Sequence, residues 1–179
     1  DQWNPNKDKI FLVTNKMNAT TYWSSSSASV GSALKATSPE VESFCYLNGG
    51  YDNDILYFKD KKVQSDKITI AQGNFFDYFP YEFTEGSRKG TLPDVNSICL
   101  SQDLAFKLFG NETAVGKKVV LQKKVLMVRG VYKLDKKSAY NPSCVVNFMD
   151  QRINANIQFW GNFQYVLLLK LKDQGNQKQ

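Results

Sequence analysis

Residues 75 to 83 read FFDYFPYEF and carry six aromatic rings in nine positions. This is the densest apolar demand in the chain, and the rest of the fold must answer it. Phe75, Phe76 and Phe79 fall at i, i+1 and i+4, one face of a helix. That spacing favours burial in a core over a stacking platform or a membrane-inserting wedge. Tyr78 and Tyr81 fall off this face and are expected to remain exposed, lining a partner surface.

Around this segment the chain alternates short β-like runs with few helical ones. Ile10–Thr14, Val41–Leu47, Lys67–Ala71, Ile98–Leu100, Ser143–Phe148 and Phe163–Leu171 read as strands. Two hairpins are expected, one across Lys59-Asp60-Lys61 and one from Lys118–Gln122 to Val125–Tyr132 across Lys123-Lys124. Gly49-Gly50 supplies a further turn. Helices are predicted over 28–35, led in by serines and stopped before Pro39, and over 102–109, capped by Ser101 and closed by Gly110. The mixture predicts an α+β fold with mixed and antiparallel sheets.

The 179 residues suffice for one domain or two small subdomains sharing a core. The longest apolar stretch, Tyr165 to Leu169, ends at Lys170 and is far short of the ~20 residues of a membrane span. No signal peptide is visible and the first residue is Asp1, so the expectation is an excised or processed piece of a longer chain.

Chemistry finds little to work with. Histidine is absent, which removes the usual base near neutral pH and the commonest metal ligand. Cys45, Cys99 and Cys144 lie far apart without a CxxC; buried free thiols are the simpler reading of the first two, and one disulfide stays open. In LFGNETAVGKKV, residues 108–119, Gly110 and Gly116 are separated by five residues and Lys117 is followed by Lys118. A phosphate loop needs four residues there, then a hydroxyl, and it leads from strand to helix; this stretch leads from helix to strand.

Ser32-Ala33-Leu34-Lys35 matches the S-x-x-K nucleophile motif, but neither S-D-N nor K-T-G accompanies it, so a solvated helix face is expected. Asp52-Asn53-Asp54 lacks the glycine and distal glutamate of a calcium loop and reads as a turn. Glu82 and Glu85 would form an acid–base pair only in a cleft, of which the sequence gives no sign. Asn18-Ala19-Thr20 and Asn111-Glu112-Thr113 match the glycosylation pattern by chance. Residues 117–137 hold seven lysines and Arg129 against Asp135 alone; a solvated face is favoured over a membrane surface or partner, and nucleic acid comes last. No catalytic, cofactor-binding or metal-ligating residue is assigned.

Several stretches, taken in order, resemble the extracytoplasmic core domain of MacB/FtsX-like ABC transporter permeases, especially the Bacteroidetes type. Asp1-Gln2-Trp3-Asn4 through Lys9–Val13 resembles the family's entry after its first membrane helix, and Ser38-Pro39-Glu40-Val41-Glu42 its "sPeVe" element. Ile70-Ala71 with Gly73–Phe79 is similar to "A…FF..F", and Glu85-Gly86 to the "xG" that follows. Ile98–Ser101 with Leu104–Gly110 is similar to "ivlse.lAkklFG", Val115-Gly116-Lys117 to "piGk" and Val128–Val131 to "V.GV". Trp160 and the strand from Phe163 resemble the domain's end, so the resemblance covers nearly the whole chain.

The resemblance implies a Porter-like subdomain, residues 1–71 and 136–174, with a Sabre-like subdomain, residues 72–135, inserted into it and a polar tail at 175–179. After Val131 the family's proline-rich ending is not evident, so the return into the first subdomain is set by analogy. It further implies a permease of the bacterial inner membrane with four transmembrane helices, facing the periplasm and working as a homodimer with a cytoplasmic ATPase. ATP hydrolysis would move the outside domain, which acts on a periplasmic adaptor, peptide, toxin, lipoprotein or cell-wall enzyme. No cofactor, enzymatic activity or nucleic-acid partner is expected. The rival reading is an extracytoplasmic sensor that holds peptide or lipid on the aromatic segment.

Overall fold

The computed structural model describes residues 4–172 other than 49, 136 and 139. The motif residues 1–3, Gly49, Lys136 and the tail at 175–179 lie outside the described residues. Two hydrogen-bonded layers dominate: a small antiparallel sheet holding the first and last strands, and a barrel formed by the middle of the chain.

The small sheet is centred on β13 (Tyr165–Leu171). Leu168 pairs with Leu12 of β1 (Ile10–Leu12) on one side and Cys45 of β5 (Val41–Leu47) on the other. Further along, Val166 pairs with Ser25 of β4 (Ser25–Ser26) and with Leu47, so β1 and β4 share one side of β13 and β5 takes the other. Between β1 and β4 the chain makes a two-stranded hairpin, β2 (Asn15–Lys16) and β3 (Tyr22–Trp23). Its tip is an Asn18 turn, whose Oδ1 accepts from the amides of Thr20 and Thr21. Helix α1 (Val30–Thr37) packs on β5 and stops before Pro39. Ser29 stands at its N-cap, but the Ser29 hydroxyl donates to the carbonyl of Ile157 instead of capping.

The larger sheet closes on itself. β6 (Asp52–Phe58) pairs with β7 (Lys61–Ile70), β7 with β12 (Cys144–Val146), β12 with β9 (Ser97–Ser101) and β9 with β11 (Lys124–Lys133). β11 pairs with β10 (Lys118–Leu121), and β10 returns to β6 at Val120 and Tyr57. Six strands thus form a ring in which parallel and antiparallel pairs mix, each ring strand paired to two others. β8 (Glu82–Gly86) extends the sheet beyond β10 by pairing with the second half of β11.

Strand alternation sorts the side chains between two cores. Ile98 and Leu100 of β9 join Leu56, Ile68, Ile70, Val119, Leu126, Val128 and Val146 in the first. Cys99 and Val145, one position out of phase, enter the second with Phe75, Phe76, Tyr78, Tyr81, Leu92 and Tyr132. Helix α3 (Gln102–Phe109) lies against β7, β9 and β11 and buries Leu104, Ala105, Leu108 and Phe109 in the first core, closing one mouth of the barrel. Leu104, Leu108 and Phe109 each contribute about 1.5–3 kcal/mol by this burial, and Ala105 less. The predicted caps hold here: Ser101 Oγ accepts from the Leu104 amide at 3.3 Å, and Gly110 adopts φ 65°.

Several expectations need correction. The strand expected over Lys67–Ala71 is the second half of a ten-residue strand, β7, which starts at Lys61 and ends at Ile70. Asp52-Asn53-Asp54 begins β6 and is not a turn. The second hairpin turns at Gln122 and Lys123, both with positive φ, because Leu121 pairs with Lys124. β8 and helix α4 (Met149–Asn156) were not foreseen. Phe75 and Phe76 sit in a one-turn helix, α2 (Phe75–Tyr78), and are buried as expected. Tyr78 and Tyr81 are buried too, at 0% and 2% exposure, within the same core as Phe75, Phe76 and Tyr132.

Candidate functional site

The two layers are fastened where β5 ends and β7 ends. The Tyr46 amide donates to Gln72 Oε1 at 2.9 Å, and the Gln72 amide donates to the Tyr46 carbonyl at 3.0 Å. Leu47 bridges to Ala71, whose amide donates to the Val146 carbonyl of β12 at 3.0 Å. Asn48 repeats the exchange: its amide donates to the Ile70 carbonyl and its Oδ1 accepts from the Ile70 amide. Gln72 Nε2 then donates to Asp150 Oδ1 at 3.0 Å, and the Gly73 amide donates to Oδ2 at 3.3 Å, which brings in α4. Gly73 is required because a Cβ there would stand 2.6 Å from the Leu92 carbonyl.

Tyr46 extends the joint to α1. Its hydroxyl accepts from the Gly31 amide at 2.7 Å and donates to the Ser27 carbonyl at 2.8 Å. Burial, partly offset by the Gly31 hydrogen bond, pushes the Tyr46 phenol above its usual pKa. Beside the joint lies a cleft of about 400 Å³ lined by Lys35, Ser43, Phe44, Gln72, Gly73, Asn74 and Asp150. Asp150 is its one carboxylate, and both of its oxygens already accept hydrogen bonds within the fold.

The sequence motifs are dispersed by the structure. Ser32 Oγ donates to the Ser29 carbonyl and Lys35 Nζ to the Glu42 carbonyl, so no hydroxyl–amine pair forms. Glu85 Oε2 accepts from the amides of Ala114 and Val115 at 2.8 and 3.2 Å, tying the loop before β10 to β8. It is a structural staple of LFGNETAVGKKV, whose Gly116 adopts φ 87° at the entry to the barrel. Glu82 is exposed on β8, in register with Lys133.

The basic residues are partly tied down. Lys117 bonds to Glu112 and lies 4.9 Å from the Phe109 ring centre; Lys61 Nζ donates to the Leu108 carbonyl at 3.0 Å. Lys124 sits 4.5 Å over Phe148, and Arg129 is 3.9 Å from Asp94. These contacts hold α3 and the barrel turns in place. Cys45, Cys99 and Cys144 are free and buried, and burial pushes Cys99 and Cys144 up to about 12. Among the described residues no group of three or more His, Cys, Asp or Glu side chains is placed to hold a metal, and no helix is long and apolar enough to cross a membrane.

The arrangement is a closed mixed barrel fastened to an antiparallel sheet through a hydrogen-bonded joint. Residues 2–179 match the model of the MacB-like periplasmic core domain, and the chain belongs to that family. It is thus the periplasmic domain of a MacB/FtsX-type ABC permease.

The fold is similar to that of a permease domain from Porphyromonas gingivalis, with TM-score 0.78 and 22% identity over 96% of this chain and 78% of that one. It is also similar to the periplasmic region of MacB from Actinobacillus actinomycetemcomitans, with TM-score 0.64 and 16% identity over 94% and 76%. A third likeness is to the extracellular domain of the ABC-type transporter YknZ from Gram-positive bacteria, with TM-score 0.59 and 15% identity over 93% and 83%. At these identities the likeness is one of fold. No curated protein matches the chain.

Proposed function

We propose that this domain passes ATPase-driven motion from the bacterial inner membrane to a periplasmic partner or substrate. The observation that carries the reading is an unbroken path of backbone pairing. The outer ends of β1 and β13 lie together, where the Leu171 amide donates to the Lys9 carbonyl. β13 is paired along its length to β5, and β5 is bonded through Tyr46, Leu47 and Asn48 to the end of β7 and so to the barrel. A displacement at the chain ends is therefore delivered to the barrel without crossing a flexible linker.

In this reading the permease works as a homodimer with a cytoplasmic ATPase and acts on an adaptor, peptide or lipoprotein. Residues 1–71 and 136–174 are assigned as Porter-like and 72–135 as Sabre-like; both contribute strands to the barrel, which makes them move as one. The sensor reading loses its platform, because the aromatic segment proposed to hold peptide or lipid is core.

The test uses the full-length permease with its ATPase in nanodiscs, spin-labelled at Thr37 beside the sheet and at Lys123 on the barrel. Distances between protomers are measured without nucleotide and with ATP and vanadate trapped. Both labels are expected to shift together. Unchanged distances at both positions between the two states would remove the reading.

A further inference from the structure

Charge is spread along this chain except in two places. Residues 17–34 are eighteen consecutive uncharged residues and 153–169 are seventeen, while the next longest such stretch, 138–149, is twelve. The fold brings the two together. Ser25 and Ser26 pair with Val166 and Tyr165, the Gln164 amide donates to the Ser26 carbonyl, and Ser29 Oγ donates to the Ile157 carbonyl at 2.5 Å. They meet at the start of β13, the end of the small sheet away from Lys9 and Leu171.

The surface made there is aromatic. Phe159 and Trp160 are each 60% exposed, and Tyr22 and Trp23 of the neighbouring hairpin 59% and 48%. Phe159 and Trp160 flank an open depression of about 580 Å³ whose other lining residues are Asn156, Gln158, Gly161 and Asn162. The lining is thus two ring faces, three primary amides and a glycine, without a charge. Asn162 Nδ2 lies 3.5 Å from Asn156 Oδ1, which sets these two amides side by side.

We infer that this depression binds a neutral saccharide. A pyranose has an apolar face of C–H groups and a rim of hydroxyls. Exposed indole and phenyl rings match the first. Asn and Gln amides, each with two donors and an acceptor, match the second without attracting ions. Anionic lipid is disfavoured because the lining of the depression holds no Lys or Arg; Lys16, over the Tyr22 ring at 5.9 Å, and Arg152, one turn before Asn156 on α4, stand outside it. An acyl chain or an apolar protein face would cover the Gln158 amide and the remaining hydrogen-bonding positions of Asn156 and Asn162, which bond to the Arg152 carbonyl and to each other, and would supply no new partner for them. The inference stands apart from the ATPase coupling, since it concerns binding by the isolated domain.

The test is titration of the 179-residue chain with maltotetraose, cellotetraose and chitotetraose, followed by amide NMR and calorimetry. Titration runs to about 10 mM, because a ligand of this size in an open site is expected near the millimolar range. At least one oligosaccharide should shift the amides of residues 156–162 saturably. Trp160→Ala should weaken it at least ~10-fold, the loss of one central aromatic contact. Gln158→Ala, which leaves both rings in place, should weaken it measurably, while Phe11→Ala, exposed on β1, should leave it unchanged. No saturable shift with any of the three sugars overturns the inference. So does a Trp160-dependent binding to phosphatidylcholine vesicles, or a Trp160-dependent self-association, when none of the sugars binds.

Discussion

Tyr46 and Gln72 are bonded to each other twice, backbone to side chain in one direction and backbone to backbone in the other. Since Gln72 Nε2 also reaches Asp150, one side chain holds the sheet, the barrel exit and α4 together.

Gln72→Leu keeps the bulk and removes both side-chain contacts. It leaves the Tyr46 amide without the Gln72 acceptor and Asp150 Oδ1 without the Gln72 donor, and is expected to cost about 2–3 kcal/mol. Urea unfolding measures this; a loss below ~0.5 kcal/mol, the range of a neutral surface change, would show that the joint is not held there.

Gly130 faces the ring of Phe83: a Cβ would lie 2.4 Å from Phe83 Cε1. Phe83 in turn packs edge-on to Phe76 at 4.9 Å and against Tyr132 at 6.1 Å, so it has little room to retreat. Gly130→Ala is expected to destabilise by about 1–3 kcal/mol through overpacking. Gly50→Ala, with nothing within 4 Å of the new methyl, is the matched control and should be close to neutral. Equal melting temperatures for the two variants would contradict this packing.

The three thiols should resist labelling by a water-soluble disulfide reagent while the protein is folded and react once it unfolds, because only the thiolate attacks and burial suppresses it. Their pKa values also make stability fall with alkaline pH. Cys99 and Cys144 are raised from 9.0 to about 12, so the unfolded chain loses these protons first. Between about pH 9 and 12 the folded state holds more protons, and stability declines by up to ~1.4 kcal/mol per pH unit for each thiol. Replacing both with alanine should flatten that slope in pH-dependent denaturation; an unchanged slope would assign the loss to other groups.

The segment 72–135 should not fold when excised. β9 within it needs β12 from outside, and β10 needs β6. A dispersed amide spectrum from the isolated segment would refute this, and with it the shared barrel.

Much of the fold was legible where local chemistry and periodicity agreed. Ser101, the stripe Leu104, Ala105, Leu108 and Phe109, and Gly110 define α3 from cap to cap. β5 was found to the residue, since a run of apolar side chains follows a proline-stopped helix. What escaped was set by partners distant in sequence. α4 buries only Met149 and Ile153, too thin a stripe to announce a helix. β8 carries a single apolar side chain, Phe83, among Glu82, Thr84 and Glu85, and is a strand because it pairs with the second half of β11. One-helix geometry places Tyr78 and Tyr81 at the surface, whereas β5 brings Ser43 to the Tyr78 hydroxyl and Tyr132 and Tyr140 come from elsewhere to meet Tyr81. The joint was invisible for the same reason: Gln72 and Asp150 are 78 positions apart, and neither type is distinctive alone.

The pairing of β1 with β13 has a mechanical consequence. The outer ends of these antiparallel neighbours emerge at one end of the sheet, so drawing them apart peels Ile10 from Lys170, then Phe11 from Leu169, rung by rung. Drawing them together in the same direction loads β13 lengthwise against β5, where the rungs from Val166 to Leu171 must yield at once. The domain is therefore soft to separation of its roots and stiff to their common stroke, which is the anisotropy a piston needs.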